Sequence, residues 1–153
     1  MTQFRLIDRR RGTRQVRDAF AEAIGSVKRD VYRGVARVVV EASPVDSGTY
    51  IMAHAAGSGE SGEVASRTSH GKARGRNPGQ FKALALGNLR RSVSAAAVTA
   101  GQEIWFRNRS EHAVKVEYEG WPTKEAYHVY AKARAYAATA IRDAATELGF
   151  RTR

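Results

Sequence analysis

Residues 14–43, RQVRDAFAEAIGSVKRDVYRGVARVVVEAS, decide the architecture, and the SPVDSGTY that overlaps their end at 43–50 sets the first corner. Val16, Phe20, Ile24, Val27, Val31, Val35 and Val38 recur every three or four residues. The mean step of about 3.7 is the helical period and makes one continuous apolar stripe. The opposite face carries Arg17, Lys28, Arg29, Asp30 and Arg33, as a solvated face should. Valine is a mediocre helix former, so burial of the stripe must hold this helix, which would be roughly 40 Å long. Thr13 is the expected N-cap, and Pro44 disfavours helical geometry at Ser43 and ends the helix there. In the corner, Pro44 fixes its own φ, Asp46 suits an Asx-turn and Gly48 can take a positive φ.

A second helical pattern closes the chain. Ala126, Tyr130, Ala133, Ala137, Ile141, Ala144 and Leu148 keep the helical period through 123–148. Pro122 and Thr123 are expected to open this helix and Gly149 to cap it. Its mostly alanine face lets another helix approach closely, either the first helix or a neighbouring subunit.

Smaller elements are expected between these helices. A short strand falls near Tyr50–Ala55, followed by a long Gly/Ser/Arg-rich loop at 55–79. Residues 80–92 read as a helix with Phe81, Leu84 or Ala85, and Leu89 on one side. Residues 93–108 read as a hairpin turning at Ala100–Gly101. In its second arm Ile104 and Phe106 alternate with Trp105 and Arg107, the period of a strand. Residues 111–119 suit a third strand or a short helix equally. The expected fold class is therefore α+β: long N- and C-terminal helices packed on a small antiparallel sheet. One domain spans 13–150, with a flexible basic arm at 1–12 and the long loop inserted at 55–79.

Composition narrows the classes of function. The 153 residues, 42% of them apolar, suffice for one core of modest size. No run of 18 apolar residues exists to span a membrane, and the basic N-terminus lacks the apolar stretch of a secretory signal. A protein made and used in a cytoplasm is the expectation. The absence of cysteine excludes disulfides and thiolate chemistry. The net charge of +11 draws polyanions or acidic partners, or simply keeps the chain soluble.

No chemical constellation stands out. His54, His70, His112 and His128 are scattered without metal-ligand spacing. Glu117 and Glu119 are two apart amid cations, which suits ion pairing better than a catalytic couple. The chain has no GxSxG elbow, phosphate-binding glycine loop or zinc finger. The expectation is a non-enzyme with no cofactor and no metal. Trp105, Phe106 and Arg107 are better explained by core packing beside an exposed cation than by stacking on bases.

Three segments carry a resemblance. SPVDSGTY at 43–50, after a long helix, resembles the (T/S)PVDTG signature of tailed-phage tail-completion and neck proteins, a group that includes the minor tail protein Z family. Asn88-Leu89-Arg90-Arg91-Ser92 resembles the LRxS segment of those proteins, with Leu89, Arg90 and Ser92 at the matching positions. IWFRNRSEHAVKVEYEGW at 104–121 resembles their N-x-x-x-YA-x-x-x-E-x-G stretch at Asn108, Ala113, Glu117 and Gly120, with Trp121 following. His112 stands where the family has an aromatic residue. About forty residues separate the first two motifs, where many relatives have almost none.

This resemblance implies a structural virion protein, assembled in the host cytoplasm, that completes or joins the head-proximal end of a tail. It would act in a homo-oligomeric ring, a hexamer by preference, touching tail terminator, tail tube, connector or portal proteins. Within such a subunit Pro44, Asp46 and Gly48 would form a rigid corner. Asp46 would anchor its own turn or pair with Arg90, and Glu117 would be a buried partner of Arg90 or Arg91. Arg9, Arg10 and Arg11 in the arm, and Arg67, Lys72, Arg74 and Arg76 in the loop, would face packaged DNA or a protein neighbour. The competing expectation is a small basic nucleic-acid-binding protein.

Overall fold

A computed structural model describes residues 9–45, 48–58, 77–96 and 103–150, with the side chains of 9–11 excepted. The expected class holds: two long helices pack with a small antiparallel sheet. The elements are α1 (Arg9–Ala42), α2 (Thr49–Met52), β1 (His54–Ser58), α3 (Pro78–Ala95), β2 (Ile104–Asn108), a single wide π-turn (Lys115–Glu119) and α4 (Val129–Glu147).

Helix α1 is the spine, with α4 packed along it and α3 against it. It starts at Arg9, so the expected boundary after residue 12 is corrected, and Thr13 lies inside the helix instead of capping it. Arg9, Arg10 and Arg11 belong to its first turn and not to an arm. The far end stops at Ala42, as Pro44 dictates. Burial does not follow the whole stripe. Val31 and Val35 are buried together with Ala36, Val39 and Val40, whereas Val16 is 72% and Phe20 48% exposed. Among the described residues burial is deepest along the C-terminal half of α1.

Helices α1 and α4 run antiparallel. Phe20 meets Phe150 edge-on with ring centroids 5.9 Å apart, and further along the pair Gly34 faces Tyr136. A Cβ at Gly34 would come within 2.0 Å of the Tyr136 Oη, so any larger residue here must displace the Tyr136 ring. Helix α4 starts at Val129, six residues after the expected opening at Thr123. Residues 121–124 instead form a tight turn in which Trp121 N donates to Lys124 O (2.7 Å) and Lys124 N to Trp121 O (3.0 Å). Gly149 ends α4 as expected: its N–H donates to Thr146 O and that of Phe150 to Ala145 O, the Schellman pattern.

Helix α3 is longer at both ends than its sequence pattern suggests. Asn77 caps it, accepting from Gln80 N at 3.0 Å through Oδ1, and Pro78 fills the first turn, where its missing N–H costs nothing. The helix runs through Val93 because Phe81, Ala85, Leu89 and Val93 keep a four-residue step and are all buried. The expected strand over 93–100 is thus wrong for 93–95, and the turn at Ala100–Gly101 lies outside the described residues. β2 finds its partner elsewhere. It pairs antiparallel with β1, with His54 opposite Asn108 and Ser58 opposite Ile104. The strand expected at 50–55 is accordingly shifted: 49–52 form the short helix α2 and pairing begins at His54. Residues 111–119 take the helical of the two expected forms.

Two glycines of the recognised motifs have clear reasons. Gly48 has φ of 80°, and a Cβ there would lie 2.5 Å from the Phe81 ring. Gly120 has φ of 70°, and a Cβ there would lie 2.6 Å from Lys124 O. Pro44 is half-buried at the end of α1, while Asp46 lies outside the described residues, as do Arg67, Lys72, Arg74 and Arg76.

Candidate functional site

Asn108, Ala113, Glu117 and Tyr130 meet where β2, the π-turn and the start of α4 converge, and all four line one groove. Glu117 is buried, and both its carboxylate oxygens are used. Oε2 accepts from Tyr130 N and Oε1 from Ala131 N, each at 3.0 Å. These are the second and third residues of α4, whose N-cap position holds His128 in a left-handed conformation with no capping side chain. Glu117 therefore caps α4 from a separate element and places its charge at the positive end of the helix. The π-turn aims it there: Gly120 N closes the turn onto Lys115 O (2.8 Å), and Val116 O accepts from Tyr127 N (2.8 Å). The expected pairing of Glu117 with Arg90 or Arg91 is not present. Both arginines are exposed on α3, and Arg91 donates to Asn88 Oδ1.

Beside this cap lies a directional polar chain. Asn108 Oδ1 accepts from Ser110 N and Nδ2 donates to Tyr50 O, both at 2.8 Å, which fixes the orientation of its amide. Nδ2 also lies 3.2 Å from His54 Nδ1 and 3.4 Å from Nε2, so it is Ser43 that sets the tautomer: its hydroxyl donates to Val39 O and must accept from Nε2–H, which leaves Nδ1 as the acceptor. Tyr130 Oη lies 2.9 Å from the same Nδ1 and donates to it. Nε2–H then donates to Ser43 Oγ at 2.7 Å, and Ser43 donates to Val39 O at 2.6 Å. Four distant segments are tied by this chain. Burial pushes the His54 imidazole down to about 3, so it stays neutral. The Ser43–His54 pair resembles a nucleophile with its base, but its hydrogen bond runs from histidine to serine, the reverse of what activation requires. Tyr50 and Tyr130 are pushed far up, first by burial, with the Glu117 charge adding to it. Among the described residues the buried Tyr50 hydroxyl has no hydrogen-bond partner.

The groove itself measures about 790 Å³ and runs along one side of the α1–α4 pair. Ile24, Val27 and Val31 line it from α1, Ala137, Ile141 and Leu148 from α4 and its C-terminal cap, and Trp105, Val114 and Tyr118 from β2 and the π-turn region. Its lining is mainly apolar, with Lys28 and Arg134 among the charged residues.

The remaining motif residues are structural. Leu89 is 1% exposed in the core, Ser92 Oγ donates to Asn88 O, and Arg90 points to solvent. Trp121 meets Tyr127 edge-on and carries Lys115 Nζ 5.7 Å from its ring centre. Among the described residues no cluster of His, Asp and Glu is placed to hold a metal, and no helix is long and apolar enough to cross a membrane. His54, Ser43 and Tyr130 escaped the sequence reading as a site. Their partners lie up to 76 residues apart, and no local pattern marks them.

No protein-family model matches the chain, no curated protein matches it, and no solved structure matches its fold.

Proposed function

We propose that the chain is a structural component of a phage neck or tail, completing or joining the head-proximal end of the tail as one subunit of a ring, with a hexamer favoured. The observation that carries this reading is the ordered motif set. Its third motif has a physical rationale: Asn108 orients the buried imidazole, Glu117 caps α4, and Gly120 permits the turn between them. These roles fix the angle between α4 and the sheet, which a repeating subunit must keep constant. The neighbours would be tail terminator, tube, connector or portal proteins, and the location the virion.

Native mass spectrometry and negative-stain microscopy of the purified chain test this reading. Rings of one defined symmetry support it. A strict monomer that is also missing from particles refutes it. One observation favours a second reading, polyanion binding: Arg29, Arg33 and Arg37 form an exposed i, i+4 row on α1. That reading requires tight binding to DNA with a steep salt slope. Weak sequence-blind binding would be compatible with a ring around DNA as well.

A further inference from the structure

From the groove between α1 and α4 we infer a docking site for an amphipathic helix of another protein, with an apolar face and acidic flanks. Six of the exposed large apolar residues among those described line this one groove: Trp105, Val114, Tyr118, Ile141, Leu148 and Phe150. Apolar side chains concentrated this way mark an interaction surface. The shape fits a helix. Two antiparallel helices form the walls, and the distance along α1 from Ile24 to Val35 is about 17 Å, or roughly three helical turns. A third helix laid there would interdigitate with both walls, by the helix-in-groove mode of recognition.

Charge selects the occupant. Lys28 and Arg134 line the groove, and Arg134 has no ion-pair partner among the described residues. Arg142 is exposed on α4 one residue beyond Ile141. A second copy docking groove to groove would set Lys28, Arg134 and Arg142 against the same cations, which opposes self-docking at this face and leaves ring contacts through other faces open. Of the chain's own segments outside the described residues, 59–76 has a single large apolar residue, Val64, and cannot fill an apolar groove. Segment 1–8, with Phe4, Leu6 and Ile7, is an outcome of the test: Phe4→Asp with Leu6→Asp raising the acidic peptide's affinity would assign the groove to that segment and overturn the inference. An acidic partner gains both contact with the apolar floor and attraction to the rim. This inference rests on the groove alone, so its failure would leave the ring reading standing.

The test uses the full chain and three fluorescein-labelled peptides of equal length. One has leucines at helical spacing with glutamates elsewhere, one has the same leucines with lysines, and one scrambles the acidic sequence. Fluorescence anisotropy should show the acidic amphipathic peptide binding at least roughly tenfold tighter than either other, with affinity falling as salt rises. Ile141→Asp and Arg134→Glu, both at exposed sites, should each weaken it by a comparable factor while leaving the circular dichroism melt unchanged. Equal binding of the scrambled peptide would reduce the effect to bulk charge and overturn the inference, as would no binding at all. Sedimentation of the chain alone supplies the last check. A self-associated species that Ile141→Asp dissociates would assign the groove to a second copy and overturn it too.

Discussion

Lowering the pH from 7 to 5 should destabilise this protein through one residue, His54. The unfolded chain protonates a histidine near 6.5, while the folded chain holds His54 neutral down to about 3 because burial penalises the imidazolium. Between these values the unfolded state binds more protons, so stability falls as pH falls. The contribution is complete above 6.5 and is lost progressively below it. Each pH unit in this window costs on the order of 1 kcal/mol, so the step from 7 to 5 costs about 2 kcal/mol. For a chain of this size that is a fall of roughly 4–8 °C in Tm. The protonated ring would also place a second N–H against the Tyr130 hydroxyl, which now donates to Nδ1, and beside the Asn108 amide N–H. Thermal melts by circular dichroism at pH 7, 6 and 5 check this against His54→Gln. Glutamine can donate to Ser43 and accept from Tyr130, but it does not titrate, so its melts should move much less across this range. Every other titratable group is common to both proteins, so its contribution cancels in the comparison. Equal losses in wild type and variant would refute the assignment, as would an imidazole signal for His54 titrating near 6.5.

Other substitutions probe the same frame. Glu117→Ala strands the N–H groups of Tyr130 and Ala131, at about 1–3 kcal/mol each; Glu117→Gln, which keeps an acceptor, should cost less in urea melts. Gly120→Ala meets both a left-handed φ and Lys124 O, and should lower stability by about 1–3 kcal/mol, where Gly87→Ala, with open space around it, should not. Leu89→Ala empties a fully buried site on α3 and should cost about 2–5 kcal/mol by chemical denaturation. Gly34→Ala forces Tyr136 out of its seat, and its loss of about 1–3 kcal/mol should be accompanied by a change in the tyrosine fluorescence or near-ultraviolet dichroism of the α1–α4 contact.

Much of the fold is legible in the sequence because its signals are local. The period of α1, the stop at Pro44, the positive φ at Gly48 and the cap at Gly149 each depend on a few neighbouring residues. At the end of α3 the local pattern is ambiguous. Val93-Ser94-Ala95 reads as a strand in isolation, yet it continues the four-residue step from Phe81 and joins the helix. The N-cap signal at Asn77-Pro78 sits at the end of a Gly/Ser/Arg-rich stretch whose composition masks it.

The candidate site was legible only as a set of motif positions. Asn108, Glu117 and Gly120 stood out, but not what they do. Glu117 looked like a partner for the nearby arginines in sequence, whereas its true partners are backbone N–H groups thirteen and fourteen residues later. Hydrogen-bond donors on a main chain carry no sequence signature, so only the packing of the π-turn against α4 reveals the cap.

The sequence by itself determined that two long amphipathic helices bracket a small sheet, because helical periodicity and proline and glycine punctuation act within a few residues. The tertiary structure alone decided which half of the α1 stripe is most deeply buried. Val31 and Val35 are buried by the rest of the fold, while Val16 and Phe20 stay largely exposed, Phe20 even with Phe150 against it. It also decided that β2 pairs with β1 across some fifty residues and that His54 is held neutral among Ser43, Asn108 and Tyr130. Those outcomes depend on which surfaces reach each other in space, and periodicity along one helix does not say which part of its stripe a neighbour will cover.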